Sequence, residues 1–388
     1  MAVYLDNAAT APIRPEVVEV FSKHLSVVGN PSAVNSFGQA ARRLVEEARE
    51  EIAKALNADR NEIIFLSGGT EADNLAVKGL FEARNSHEVA RPVVISVATE
   101  HHAVIEAVEA LEKRGAETWW IPVDERGVLD LAALESFLAD RGETVALISA
   151  MWANNETGVI TDIPALTAIA NKYGVPVHSD AVAAFGHIPV DFAASGLAAL
   201  SVTAHKIGGP VGIGALVVSR ATQLGAQIHG GGHERGMRSG TLNASGAKAF
   251  GAAATIAVAE LAAESARLGR LVEKLVGGVA AIAPEARFSR ADAPGLPNNA
   301  HFTFAGSSGD SLLFLLDRAG VAVSTGSACQ AGVSSASHVL LAMGRDVAEA
   351  SGCVRVTLGW QSTEADVDAF LSALPQALEG ARKAGLPN

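Results

Sequence analysis

The sequence predicts an α/β fold: a large domain with a mostly parallel sheet sandwiched by helices, plus a smaller α+β domain. Three observations carry this prediction. Short apolar runs alternate with amphipathic helices through the first part of the chain, as expected of strands buried on both faces of a parallel sheet. Hydrophobic residues make up 49% of the 388 and charged ones only 19%, against roughly 25% on average, so much of the chain is interior. After Asn243 the texture changes to one long Ala-rich helix, followed by strands and helices in a less regular order. We place the large domain at 15–250 and the small one at 1–14 and 251–388.

Residues 36–56 carry Ala, Leu, Val and Ile at helical spacing among Arg42, Arg43, Glu46, Glu47, Arg49 and Glu50, an amphipathic helix. Glu62-Ile-Ile-Phe-Leu66 is a strand that turns through Ser67-Gly-Gly-Thr70 into a helix ending near Phe81. Further strands fit 92–97, 117–121, 144–150, 175–179, 197–203 and 214–219, with helices at 102–113, 129–139 and 163–173 between the earlier ones. Beyond the Ala-rich helix, which ends near Ala283, strands fit 300–304, 321–324 and 353–358. Helices fit 310–318 and 363–384.

Composition excludes several function classes. With 42 acidic against 30 basic residues the net charge is −12, the wrong sign for a general nucleic-acid binder. Two cysteines, Cys329 and Cys353, cannot build a disulfide framework, and no CxxC pair suggests structural zinc. Met1 to Asp6 has no basic region before an apolar run. The longest uncharged stretch, 319–344, holds five Ser, four Gly, a Gln and a His, so it is no membrane span. The expected setting is cytoplasmic.

In an open parallel sheet, ligands collect beyond the carboxyl ends of the strands, and five segments merit attention. Ser67-Gly-Gly-Thr-Glu71 is either an anion-binding helix start or a tight turn with Thr70 as N-cap. Asp180 closes an apolar strand, where it either faces a protonated ring nitrogen or caps the next helix. Lys206 ends another buried strand in Thr203-Ala-His-Lys206. Desolvation there makes a nucleophilic amine, unless the side chain snorkels out. His101 and His102 are adjacent, a spacing poorly suited to metal, so one ring stacks on a planar ligand or both face solvent at a helix start. Cys329 sits in Ser324-Thr-Gly-Ser-Ala-Cys329, a small-residue loop offering little core, where a thiolate is either a nucleophile or an inert surface group. Cys353 begins an apolar strand and is the structural cysteine.

The combination narrows the choice. A lysine able to form an imine, an aspartate for a ring nitrogen and an anion site at a helix start are together what pyridoxal 5'-phosphate requires. No metal is called for.

The chain resembles the NifS/IscS-like cysteine desulfurases of the class V aminotransferase family, fold-type I pyridoxal phosphate enzymes. The motifs that carry the resemblance run from Tyr4-Leu-Asp-Asn-Ala-Ala-Thr10 to Leu358-Gly359. They include Asn30-Pro-Ser32, Glu100-His-His-Ala-Val104, Ala153-Asn-Asn-Glu156, Ser179-Asp-Ala181, Ala204-His-Lys206 and His229-Gly-Gly-Gly232. Arg238-Ser-Gly-Thr241, Ser324-Thr-Gly-Ser-Ala-Cys329 and Ser337-His-Val-Leu-Leu-Ala-Met343 complete them. The Cys329 segment is the longer-loop kind of the NifS/IscS branch.

The resemblance implies Lys206 as the Schiff-base lysine and Cys329 as the nucleophile that becomes a persulfide. His101 would stack on the ring and help proton transfer, Asp180 would meet the ring nitrogen, and Asn155 would lie near the ring hydroxyl or the substrate carboxylate. Gly69, Thr70, Thr203 and His205 would hold the phosphate, joined by Thr241 from a neighbouring subunit of a homodimer. Arg355 matches the arginine that clamps the substrate carboxylate. The implied reaction converts L-cysteine to L-alanine and delivers sulfur to an acceptor protein, an Fe–S scaffold or a thiolation enzyme. A selenocysteine lyase, an aminotransferase on the same fold or a poorly active relay or scaffold subunit are the alternatives. Two positions depart from the family pattern. Ala183 stands where a Gln usually donates to the ring hydroxyl, and Asn35, in the substrate-binding segment, stands where a His is usual.

Overall fold

Mostly apolar runs need a neighbour on both faces, and the computed structural model, which describes residues 2–86, 89–326 and 336–385, builds its main sheet from them. β1 (Val3–Tyr4) and α1 (Pro15–His24) lead to α2 (Ser36–Ala55). Strand and helix then alternate through β2 (Ile63–Leu66), α3 (Gly69–Arg84), β3 (Val93–Val97), α4 (His102–Glu112), β4 (Glu117–Ile121) and α5 (Leu131–Arg141). The alternation continues with β5 (Val145–Ser149), α6 (Ile163–Lys172), β6 (Val177–Asp180), α7 (Phe192–Ser195), β7 (Ala199–Thr203) and β8 (Gly214–Val218).

These strands form a seven-stranded sheet in the order β2-β8-β7-β6-β5-β3-β4. Neighbours are parallel except where β8 meets β2 and β7. β2, β3, β5, β7 and β8 are buried along their whole length, whereas the edge strand β4 is fully buried only at Ile121. The loops after β2, β3, β5, β6 and β7 therefore open on one edge of the sheet.

α8 (Ala244–Ile282) is followed by β9 (Arg287–Phe288), β10 (Asn299–Thr303), α9 (Gly309–Arg318), β11 (Val321–Ala322), α10 (His338–Ala342), α11 (Val347–Ser351), β12 (Cys353–Thr357) and α12 (Glu364–Gly385). Here an antiparallel sheet, β12-β10-β9, forms a second core in which Phe302, Phe304 and Phe370 pack against Leu268, Val272 and Leu275 of α8. The N-terminus belongs to this part of the molecule, because β1 pairs in parallel with β11 and Leu5 enters the same core.

α8 joins the two cores. Its first half inserts Ala247, Phe250, Ala253 and Ala254 beneath the large sheet. A Cβ at Gly251 would lie only 3.1 Å from the Cα of Ala48, so the small residue is what lets α2 and α8 approach. By length and composition α8 could cross a membrane, a test that the core helix of a soluble protein also passes.

The structure differs from the sequence prediction mainly in short elements. β1 and β9 have two residues each, and α7, α10 and α11 have four or five, too few to show a period. α1 is longer but buries only Val17, which leaves almost no apolar stripe to read. The strand predicted at 321–324 ends at Ala322, with Ser324 making only an isolated bridge to Arg355.

Candidate active site

The strand ends converge on a cavity of about 320 Å³. Gly69, Thr70, His101, Asn155, Asp180, Thr203, His205, Lys206 and Arg355 all line it.

At the exit of β2, Gly68 is the extended N-cap of α3, two residues earlier than an N-cap at Thr70 would place the helix start. The first turn of α3 opens on the cavity with the N–H groups that a helix start leaves for an anion. Gly69 is needed for space, since a Cβ there would stand 2.8 Å from Val182 Cγ2.

Asp180 ends β6 and is 5% exposed, with Oδ1 accepting the Val182 N–H at 2.8 Å in a turn rather than at a helix start. Burial raises its pKa to about 6, against the opposing pull of Lys206. Asp73, one turn along α3 from Gly69, also lines the cavity, and its Oδ1 is buried without a hydrogen-bond partner. Glu100 Oε2 is buried likewise. Burial first, then the neighbouring Asp180, holds both groups well above the usual carboxylate range. Asp73 and Asp180 thus both line the cavity, with Glu100 buried near Asp180, an arrangement suited to a cationic ring nitrogen.

Lys206 lies in the turn after β7, where its Nζ donates to the carbonyls of Ala8 and of Ala9, the latter at 2.9 Å. His101 caps α4, its Nδ1 accepting from Ala103 N at 3.1 Å, so a neutral ring carries its proton on Nε2. Burial, then the Lys206 charge, lowers its pKa to about 4. His205 is lowered to about 4 by the same two causes and lies 3.2 Å from the Thr10 hydroxyl. Thr203 gives its hydroxyl hydrogen to Ile213 O at 3.1 Å.

Arg355 reaches the cavity from β12 in the second sheet. It is 4% exposed, pairs with Asp6 at 2.9 Å and donates to the Asn155 carbonyl at 2.9 Å, while its Nε is buried without a partner. A buried, incompletely satisfied guanidinium suits a carboxylate ligand.

Cys329 lies outside the described residues. On either side of it, Ser337 donates its hydroxyl to Glu156 Oε2 at 2.6 Å, and Gly326 sits so close that a Cβ would be 2.1 Å from the same oxygen. Gly326 and Ser324 line the cavity, which places the start of this segment at the site. Cys353 is buried and its thiol is pushed up to about 12, mainly by burial, so it is no ready nucleophile. Among the described residues no cluster of metal-ligating side chains occurs.

Two expected site residues are not brought to this cavity within the chain. Asn35 is the exposed N-cap of α2, its Oδ1 accepting from Gly38 N at 2.9 Å. Thr241 is exposed and lines no part of the cavity. Sequence reasoning missed Asp73, although its position one turn after Gly69 was a usable signal. It also missed the Ala8 and Ala9 carbonyls, for which no local signal exists.

The buried histidines give the cofactor-free protein a defined pH response. His178 and His301 are fully buried and lowered to about 3 by burial, so below about pH 6.5 the unfolded chain binds more protons and stability falls, by up to about 1.4 kcal/mol per pH unit for each. Asp73, Glu100 and Asp180 have the opposite sign: raised pKa values favour folding while protonated, and that support is lost as pH rises. Below about pH 6.5 the two trends oppose each other; above it the histidines no longer respond, so the raised carboxyls should make the unfolding temperature of cofactor-free protein fall as pH rises. Asp73→Asn should flatten the alkaline side. Calorimetry showing no alkaline fall would contradict this assignment of signs.

Fold and site together define a lysine-centred enzyme of the aminotransferase type, and the Aminotransferase class-V family matches residues 3–370. An IscS-like cysteine desulfurase of Mycobacterium tuberculosis is 48% identical over 385 residues, 99% of this chain and 98% of that protein. A solved NifS-like protein superposes with a TM-score of 0.89 at 34% identity, covering 98% of this chain and all of that one. A structure described as SspA in complex with cysteine has a TM-score of 0.79 at 30% identity, covering 92% and 98%. The chain belongs to the class V aminotransferase family, among its NifS/IscS-like cysteine desulfurases.

Proposed function

We propose that the protein is a pyridoxal 5'-phosphate-dependent cysteine desulfurase that converts L-cysteine to L-alanine and carries the released sulfur as a persulfide on Cys329. The observation that carries this reading is the convergence of Lys206, Asp180, His101 and Arg355 on one cavity at the strand ends. The unpartnered Asp73 Oδ1 and the unpartnered Arg355 Nε, both on residues that line the cavity, fit a cationic ring nitrogen and a carboxylate respectively. Bound there, the cofactor supplies an electron-accepting ring conjugated to the substrate nitrogen.

The chain's own groups do the rest. Lys206 holds the cofactor and, once released, moves protons at the substrate carbons. Asp180 keeps the ring nitrogen protonated. The α3 start with Gly69 and Thr70, together with Thr203 and His205, holds the phosphate. Arg355 orients the substrate carboxylate with Asn155 beside it, and His101 covers the ring with Nε2–H as its donor. The Cys329 thiolate attacks the substrate sulfur, forming the S–S bond as the C–S bond breaks. The electron pair of that bond stays with the substrate carbon, which takes a proton and leaves as alanine.

We read the chain as a homodimer with a large domain at 15–250 and a small one at 1–14 and 251–388, each active site completed by Thr241 of the neighbour. Supporting this, residues 25–37 expose Leu25, Val28, Val34 and Phe37, and Pro31 and Ser32 border the groove that also contains His233 and Leu242. Such an apolar surface calls for a partner. A sulfur-acceptor protein, a cytoplasmic setting and no nucleic-acid or membrane partner complete the proposal.

Cys329→Ser should abolish formation of alanine and sulfide from cysteine while the visible cofactor band remains. Full desulfuration by that variant would overturn the persulfide route. Ala183 lines the cavity without a side-chain donor, which favours a second reading, a slow sulfur-relay subunit. The same assay separates the two, since a relay subunit would load about one sulfur per Cys329 and then stop.

A further inference from the structure

The loop from Ile228 to Thr241 is fastened to its own subunit at two points. At the first, Glu234 and Arg235 take φ values of 46° and 58°, a left-handed backbone that non-glycine residues rarely adopt. Three hydrogen bonds hold the Glu234 carboxylate there. Arg49 grips its carboxylate with both terminal nitrogens at 2.9 and 2.7 Å, and Phe65 N of β2 donates to Oε2 at 2.8 Å. Both charged side chains are under a tenth exposed. At the second point, Arg238 donates through Nε to Glu71 Oε1 at 2.9 Å, and Glu71 Oε2 accepts from Ser67 N at 2.7 Å.

Both carboxylates accept a backbone N–H from β2 or from the turn that carries β2 into α3. That turn is where the phosphate cradle begins. On either side of the two points the loop closes on itself, with Ser239 N bonded to Ile228 O and Gly240 N to His233 Nδ1. Thr241 lies three residues after Arg238 and stands exposed. A local helix or sheet would not require a strained backbone pinned by a buried ion pair. Strain of this kind persists where surroundings over-determine a position.

We propose that Glu234 and Glu71 are positioning residues: they couple each subunit's own phosphate cradle to the Thr241 that it presents to its neighbour. The inference rests on the homodimer reading above. It predicts that releasing the loop harms the site of the other subunit rather than the site of the subunit that carries the change.

Mixed dimers of differently tagged subunits test this. One subunit carries Lys206→Ala and cannot attach cofactor covalently; the other is unsubstituted and reports cofactor release through its visible band. Glu234→Gln added to the Lys206→Ala subunit should speed release from the unsubstituted partner about five- to tenfold, the worth of one hydrogen bond. The same change placed in the cofactor-bearing subunit should alter release by less than about twofold. Arg238→Gln, which frees the other end of the loop, should show the same pattern and serves if Glu234→Gln does not fold. A loss confined to the subunit bearing the change, or no loss in either arrangement, overturns the proposal. Thr241→Val in the Lys206→Ala subunit distinguishes the two readings. If it is silent, shared active sites are wrong; if it acts while both loop variants are silent, only the fastening is wrong.

Discussion

Lys206→Ala is expected to yield a colourless protein that forms no measurable alanine from cysteine. The turn after β7 delivers the Lys206 amine into the cavity, against the Ala8 and Ala9 carbonyls of the N-terminal segment. Alanine cannot replace either function assigned to that amine, covalent attachment of the cofactor or proton movement at the substrate. Proton transfer by a positioned group alone is worth about 10²–10⁴ in rate, so the combined loss should exceed about 10⁴. Absorbance spectra after cofactor loading and a direct alanine assay provide the check. A variant that keeps its visible band would show that another amine holds the cofactor.

Asp180→Asn should separate catalysis from folding. The amide oxygen can still accept the Val182 N–H that Oδ1 accepts now, so the turn should survive. Asn cannot carry the negative charge that keeps a ring nitrogen protonated. Removing one partner of a buried charge pair costs about 3–5 kcal/mol, or roughly two to four orders of magnitude in rate. The cofactor-free fold should respond oppositely. The Asp180 carboxyl is already raised to about 6 by burial, so at pH 8 the native protein bears a disfavoured buried charge that Asn removes. Asp180→Asn should then unfold at the same temperature or higher at pH 8 while its turnover collapses. Parallel losses of stability and activity would mean that Asp180 serves the fold first.

The large sheet was legible because burial on both faces keeps its strands mostly apolar, as in Ile63–Leu66 and residues 145–148. Asp180 and Lys206 stood out against that background, being charged residues directly after apolar runs. The sequence leaves residues 67–71 as either an anion-binding helix start or a tight turn with Thr70 as N-cap, because the capping rule rewards a hydroxyl at a helix start. Here the helix begins two residues sooner, with extended Gly68 as its cap. Arg355 had no local signal beyond its place in Cys353-Val-Arg-Val-Thr357, and only the likeness to a family singled it out.

What the sequence determined by itself were features set within a few neighbouring residues: strand periods, the glycine turn into α3, and two cysteines in contrasting surroundings. What only the tertiary structure decided was which of these meet. The pairing of β1 with β11 carries the N-terminal segment into the second core, and from there Ala8 and Ala9 reach Lys206 while Asp6 reaches Arg355. Contacts separated by hundreds of residues depend on how α8 seats two cores against each other, and no local periodicity encodes that. The same holds for Asp73, Asp180 and Glu100, whose raised pKa values arise because folding buries three carboxyls side by side.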